Sequence, residues 1–368
     1  MEEFTTLQAI WFGLITVLWI GYFVLEGFDF GVGMLLRRLG RDKTERRMLL
    51  HTIGPVWDGN EVWLLVAGGA TFAAFPHWYA TLFSGFYVAL FLILAALIVR
   101  GVAFEFWGKV DSDRWRATWE WAIVAGSAVP ALLWGVAWAN IVRGVPIDAN
   151  MEVTGNLLDL LNPYALLGGV TTLLVFLAHG AIFVSLRTRG DMERRARRLA
   201  GRLAPGAAIA AAGFLVWTLG NQADRGGIEA VSLIAALLAA AGAISVVASA
   251  AKKPGLAFGL SAGTIAAFVV ALVADLFPNV MVSTTSPEFS ITLNEAASTP
   301  YTLKVMTIVA VVFVPIVLAY TAWTYWVFRA RLGREDFEEV KAKVAAVAKR
   351  SFLAERRGGE GGETAPTA

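Results

Sequence analysis

Gly54-Pro55-Val56-Trp57-Asp58-Gly59-Asn60-Glu61-Val62-Trp63-Leu64 sets two carboxylates and an amide at the mouth of a hydrophobic run. Two tryptophans flank the acids, and Leu65-Val66-Ala67-Gly68-Gly69-Ala70 follows. Asp58 and Glu61 are three residues apart, so a helix places them on one face. The preceding hydrophobic run repeats this spacing with Glu26 and Asp29, in Glu26-Gly27-Phe28-Asp29-Phe30-Gly31-Val32-Gly33. A charge inside a bilayer is expensive unless it finds a partner or water, so such acids mark function by default. Neither run holds a Lys or Arg, and something outside these two helices must complete the site.

The rest of the composition agrees that these runs cross a membrane. Mean hydropathy is +0.62, and only 16% of residues are charged, against roughly 25% in ordinary soluble domains. With no cysteine in 368 residues, disulfides, thiolate ligands and thiolate nucleophiles are excluded. Nine spans are expected, over 8–36, 55–75, 79–99, 119–140, 164–186, 204–220, 229–250, 256–277 and 304–328. The first lacks a basic start and carries its own acids, unlike a cleaved signal peptide. Of the 31 basic residues, 28 fall after spans one, three, five and seven or in the tail; only Arg143, Arg225 and Lys304 do not. By the positive-inside rule the N-terminus faces outward and the C-terminus the cytoplasm.

Asp42 followed by Glu45 has the spacing of a capping box. The second helix is expected to start there, on the membrane surface, and to bend inward near Gly54-Pro55, where proline removes a backbone donor. A helix starting afresh at Pro55 would instead put Asp58 in its first turn, where the helix dipole accounts for it. Residues 100–118 suggest a solvated amphipathic helix, 141–162 a segment long enough for a small cap but best read as a solvated acidic loop, 187–202 a basic loop, and Asp275 an interfacial acid. Residues 330–350 suggest a short charged helix, and the Gly/Glu/Thr-rich end from Gly358 disorder.

Span five carries His179-Gly180 at the distance from its basic stop, Arg187, where span one carries Glu26-Gly27 before Arg37. This suggests a duplicated four-helix unit. The divisions are then 1–141 and 142–278 for the two units, 279–330 for an outer loop and a peripheral ninth helix, and 331–368 for a cytoplasmic tail. Among the histidines, His51 falls on the cytoplasmic side, His77 at an outer turn and His179 within a span. No two share a depth on neighbouring helices, so a bis-histidine haem held by this chain alone is not expected. His179 is better explained as a hydrogen-bonded polar residue than as an axial ligand, and no metal site is expected.

The four acids are the stronger signal. At 1.5 Å per residue Asp29 lies roughly 12 Å inside Arg37, and Asp58 and Glu61 enter from the same side. Together they can form one polar file from the cytoplasm toward mid-membrane. Desolvated carboxylates hold protons near neutral pH, which a proton-input path requires. The alternative, that they only hydrogen-bond helices together, stays open.

The two acid-bearing motifs closely resemble subunit II of cytochrome bd-type quinol oxidases. Ala67-Gly68-Gly69-Ala70-Thr71-Phe72-Ala73-Ala74-Phe75-Pro76 and Thr299-Pro300-Tyr301-Thr302-Leu303-Lys304-Val305-Met306 extend the likeness across all nine spans, up to about Glu335. The resemblance implies an obligate heterodimer with a similar subunit I that ligates two haems b and one haem d. That complex oxidises quinol and reduces oxygen to water in a bacterial-type cytoplasmic membrane. Subunit II, inactive alone, would stabilise its partner and contribute to proton and gas access. Membrane lipid, a small accessory subunit and a structural quinone are compatible with the likeness, and nucleic acid is not implied. By the same resemblance Asp58 is the main proton-path acid with Asp29 beside it, and Trp63 lies near an oxygen entrance. The family admits Gln at the position of Glu61; an amide relays through hydrogen bonds but cannot store a proton. A proton-coupled permease and a structural scaffold are the competing classes.

Overall fold

A computed structural model describes residues 4–338. It is a helical bundle: α1 (Thr6–Leu39), α2 (Lys43–Ile53), α3 (Trp57–Ala74), α4 (Pro76–Gly85), α5 (Tyr87–Phe106), α6 (Asp113–Arg143), α7 (Pro163–Arg187), α8 (Asp191–Asp224), α9 (Ala230–Ser249), α10 (Pro254–Leu276), α11 (Leu293–Ala296) and α12 (Pro300–Val327). Among the described residues eight helices are long and apolar enough to cross a membrane: α1, α5 to α10 and α12. The expected second span, α3, is not among them, because Asp58, Asn60 and Glu61 fall within its first five residues.

Local chemistry sets the helix ends. Thr5 and Gln8 form a reciprocal capping box at the start of α1. Asp42 caps α2 by accepting from the Glu45 N–H at 2.9 Å. The Glu45 carboxylate turns instead to the N–H of Arg41, so only half of the expected box forms. Gly54-Pro55-Val56 is a break rather than a bend: α2 ends, the chain turns, and α3 starts at Trp57. Pro55 lacks the N–H that would continue the first helix.

Several connections differ from the sequence expectation. Span three is two helices, α4 and α5, meeting at Phe86, and α5 runs on to Phe106, so Arg100 lies inside a helix rather than at its end. The separate amphipathic helix expected over 100–118 is instead the end of α5 and the start of α6. The expected basic loop is the first three turns of α8. The 141–162 segment is no free loop. Val145 pairs with Ser283, Thr81 donates to the Met151 carbonyl at 2.7 Å, and β1 (Asn279–Met281) and β2 (Ile291–Thr292) complete a folded cap. Asp275 is buried and paired with Arg225 at 2.6 Å, rather than interfacial.

At the basic end the chain after α12 straps the bundle. Leu332 exchanges backbone hydrogen bonds with Arg187 and Arg189, Arg331 pairs with Glu193 at 2.7 Å, and Arg334 reaches Asp42 at 2.6 Å. Partial desolvation of Asp42 is outweighed by the Glu45 N–H and Arg334, which hold it below the usual carboxylate range. A turn of helix starts at Arg334. The remainder of the charged helix expected over 330–350, and the end from Gly358, lie outside the described residues.

The core has two parts. Toward the cap, Trp19, Tyr22, Phe23, Trp134 and Trp138 interlock edge to face. Toward the basic end, α1 and α7, the first helices of the two expected units, cross at glycines. A Cβ on Gly31 would stand 2.1 Å from the Phe176 carbonyl oxygen, and one on Gly180 would stand 2.5 Å from the Gly31 backbone. Only glycine permits this approach. Gly31→Ala and Gly180→Ala should each lower the thermal midpoint, at a cost of about 1–3 kcal/mol. Gly13→Ala, with nothing within 4 Å of the added carbon, should be neutral or slightly stabilising. An unchanged midpoint in both contact variants would show that these helices part without cost.

Candidate functional site

Three of the four quoted acids, Glu26, Asp29 and Glu61, converge on one largely buried group, which a cation completes. α1 contributes Glu26 and Asp29, both fully buried, one turn apart as their spacing requires. α3 contributes Asn60 and Glu61 from its first turns. α5 contributes Arg100, also fully buried, whose Nη1 donates to Glu26 Oε1 and lies 3.5 Å from Glu61 Oε2. Its guanidinium carbon sits 5.0 Å from the Phe30 ring centre and 5.2 Å from that of Phe104. Aromatic faces attract a cation that has lost its water.

Asp29 is held separately. Asn60 Nδ2 donates to Asp29 Oδ2 at 2.7 Å, and the Tyr325 hydroxyl of α12 donates to Asn60 Oδ1 at 2.7 Å. The tyrosine thereby fixes the amide with its NH₂ toward the acid. Four atoms of the group, Glu26 Oε2, Asp29 Oδ1 and Arg100 Nε and Nη2, are buried without a partner among the described residues. Buried polar atoms in this state are usually satisfied by water.

Asp58 is not brought into this group. It is exposed, in the first turn of a helix that starts afresh at Trp57, and makes no hydrogen bond or ion pair among the described residues. The file of four acids is therefore two buried acids, Glu26 and Asp29, with Glu61 half-buried beside Arg100 and Asp58 outside, one turn from Glu61. Pro55 sits at the break. Trp63 lays its ring on Gly21, where an added Cβ would come within 2.2 Å. An apolar cavity of about 560 Å³ lies nearby among Trp19, Gly68, Phe72, Phe83, Phe91 and Trp138, and Trp63 does not line it.

Arg100, Asn60 and Tyr325 had no assigned role in the sequence. Arg100 carried a readable signal: the residues after it, Gly101-Val102-Ala103-Phe104, stay apolar, so the helix had no reason to stop. Tyr325 carried none, being 265 positions from its partner.

A family model described as cytochrome bd terminal oxidase subunit II matches residues 7–328. The chain belongs to that family. It is 43% identical over 335 residues to the cytochrome bd ubiquinol oxidase subunit 2 of Bacillus subtilis, covering 90% of this chain and 98% of the relative. Identity to the cytochrome bd-I ubiquinol oxidase subunit 2 of Escherichia coli K12 is 39% over 378 residues, covering 92% and 98%. A chain in the structure of bd oxidase from Geobacillus thermodenitrificans shares the fold, with a TM-score of 0.71 at 14% identity, covering 88% of this chain and 99% of that one. The protein is thus a multi-pass membrane subunit of a terminal oxidase.

The family implies haem in the complex, and the histidines here do not fit it. His179 is fully buried, with Nδ1 2.6 Å from Ser261 Oγ and Nε2 3.1 Å from the Val24 carbonyl, its ring stacked on Phe258. Both ring nitrogens are spent. His51 and His77 sit at opposite ends of the bundle, at the end of α2 and the start of α4. Arg100, by contrast, has a firm role in the charge balance. Arg100→Met should destabilise the subunit by about 3–5 kcal/mol, since it strands buried carboxylates. Adding Glu26→Gln should recover part of that loss in detergent unfolding. No recovery would mean that Arg100 serves packing rather than charge.

Proposed function

We propose that this chain is the second subunit of a quinol-oxidising, oxygen-reducing terminal oxidase, and that Glu26, Asp29 and Glu61 form part of its proton-input path. The haem-bearing partner, subunit I, holds two haems b and one haem d, and this chain stabilises it and is inactive alone. The complex lies in the bacterial cytoplasmic membrane with the basic end toward the cytoplasm, α3 completing nine spans. The division into two four-helix units and a peripheral α12 is retained on the same terms. A small accessory subunit and bound lipid or quinone are compatible with it. Trp63 is retained as an oxygen-access residue on the strength of the family resemblance.

What carries the proton reading is the charge balance of the buried group. One guanidinium balances one carboxylate, so the group of three acids is neutral only with protons on the others. The atoms without protein partners offer water a place to bind. Asp58, exposed at the basic-end mouth, is the outer acid that gathers protons there. A permease is set aside by the family. A scaffold remains a distinct reading, because its acids would only hold helices together.

Asp29→Asn keeps shape and hydrogen bonding while removing the exchangeable proton, and Glu26→Gln does so when combined with Arg100→Met, so that no buried guanidinium is stranded. In the assembled complex with normal haem absorption, each should slow oxygen consumption by about 10²-fold or more. Asp58→Asn should cost less, because water can replace an exposed acid. Wild-type oxygen consumption in both buried-acid variants would favour the scaffold.

A further inference from the structure

The α2–α3 break opens a cleft of about 270 Å³ at the basic end, walled by Thr52 and Pro55, by Phe183 and Arg187, and by Tyr325 and Arg329. Pro55 and Arg329 are exposed at its rim. Its floor is two hydrogen bonds from a buried acid. Tyr325, part of the wall, donates to Asn60, and Asn60 donates to Asp29, each at 2.7 Å.

We propose that this cleft is an aqueous vestibule for the buried acids, and that Tyr325 and Asn60 form the polar door between its water and Asp29. The proposal rests on the reading that those acids carry protons, and it adds a route that does not pass through Asp58. Among the polar side chains of the wall, Thr52 donates to the Leu49 carbonyl and Arg187 to the Phe328 carbonyl, whereas the Tyr325 hydroxyl is bonded to a residue that touches a buried acid and is the polar group that leads inward. An amide relays a proton only through its rare imidic-acid form, because its oxygen is weakly basic and its NH₂ does not readily give one up, so Asn60 is a slow link. The pair as it stands is therefore the closed state.

Transfer occurs when the Tyr325–Asn60 bond opens and one water spans the gap. A hydrated proton in the vestibule passes to the bridging water, which the freed Tyr325 hydroxyl holds, and that water hands a proton to the ionised carboxylate of Asp29 at Oδ1, which has no protein partner among the described residues. α12 is built to allow this. Leu303 is its one buried residue. Trp11 ties it to α1 near the cap, through the Leu303 carbonyl and Thr307. At the basic end Tyr325 and the Leu332 strap hold it. A helix held at its two ends can tilt enough to break one hydrogen bond without unpacking a core.

The chain has no cysteine of its own, so Leu186→Cys in the cleft wall gives this subunit a single thiol. The assembled complex, in inverted membrane vesicles, is treated with a bulky, membrane-impermeant cationic methanethiosulfonate, with the wild-type complex treated alike. The thiol should react, and oxygen consumption should fall several-fold, most steeply at alkaline pH where proton supply limits. Reducing the mixed disulfide should restore it. Lys109→Cys, exposed at the same end, should react without effect, and Arg329→Cys at the rim serves if Leu186→Cys does not assemble. Tyr325→Phe, which removes the hydroxyl that holds the bridging water, should give the same alkaline-weighted slowing with unchanged haem absorption.

An unreactive cleft thiol would overturn the vestibule, as would full labelling with wild-type turnover across the pH range. Asp29→Asn in the same vesicles separates the two readings. If it is slow while the labelled cleft is silent, the acids carry protons that arrive from elsewhere, and only the vestibule falls. If Asp29→Asn turns over normally, the acid reading falls and the vestibule with it.

Discussion

A guanidinium buried among spanning helices costs several kcal/mol to desolvate, and it stays there only with a carboxylate in contact and its remaining charge spread over favourable surfaces. Arg100 meets these terms through Glu26, through the nearby Glu61 and through the faces of Phe30 and Phe104. The arrangement draws three helices together, because the pair is made by α1, the third acid by α3 and the cation by α5. It also sets where the chain must break. α3 presents Asn60 and Glu61 at this depth only if it starts anew after Pro55, and α5 carries Arg100 inward only if it continues to Phe106.

Close packing on the far side of α1 holds this group in place. The glycine crossing of α1 and α7 brings two backbones into contact at Gly31, two residues from Asp29, leaving α1 little freedom to rotate its acids away. His179, whose two nitrogens are bound to Ser261 and Val24, ties α7 to α10 and α1 at the same level. A second ionic knot, Glu120 with Arg37, Arg46 and the Trp107 indole, fastens α6 to α1, α2 and the end of α5 at the basic surface. The acids thus sit in a rigid frame. Within this chain α12 has one buried residue, and the Tyr325–Asn60 bond is among the contacts that hold it.

Much of this was legible in residue order. The run-and-stop pattern of basic residues marked a polytopic chain, the three-residue spacings marked shared helix faces, and Pro55 marked an interruption, expected as a bend and found as a break. The absence of a cation beside Glu26 and Asp29 announced that one had to come from elsewhere. Its identity was hidden because a hydropathy run appears to end at any charge, so Arg100 passed for a boundary residue. Asp58 misled for the opposite reason. It shares a spacing with Glu61, but a residue at the second position of a new helix points outward, while Asn60 between them points in. The Val145–Ser283 pairing of the outer cap and the Tyr325–Asn60 contact join segments more than a hundred residues apart, and no local pattern records such pairings.

What unites these features is a set of acids kept inside a membrane with fewer cations than carboxylates, an arrangement that gains purpose if protons come and go. The most direct measurement is an infrared difference spectrum of the assembled complex between its reduced and oxygen-reacted states. The account predicts a carboxyl C=O band that changes between the states in the wild type, shifts in heavy water, and is lost in Asp29→Asn or Glu26→Gln. An identical difference spectrum in wild type and both variants would show that these carboxyls keep their protonation throughout turnover, and would contradict the account.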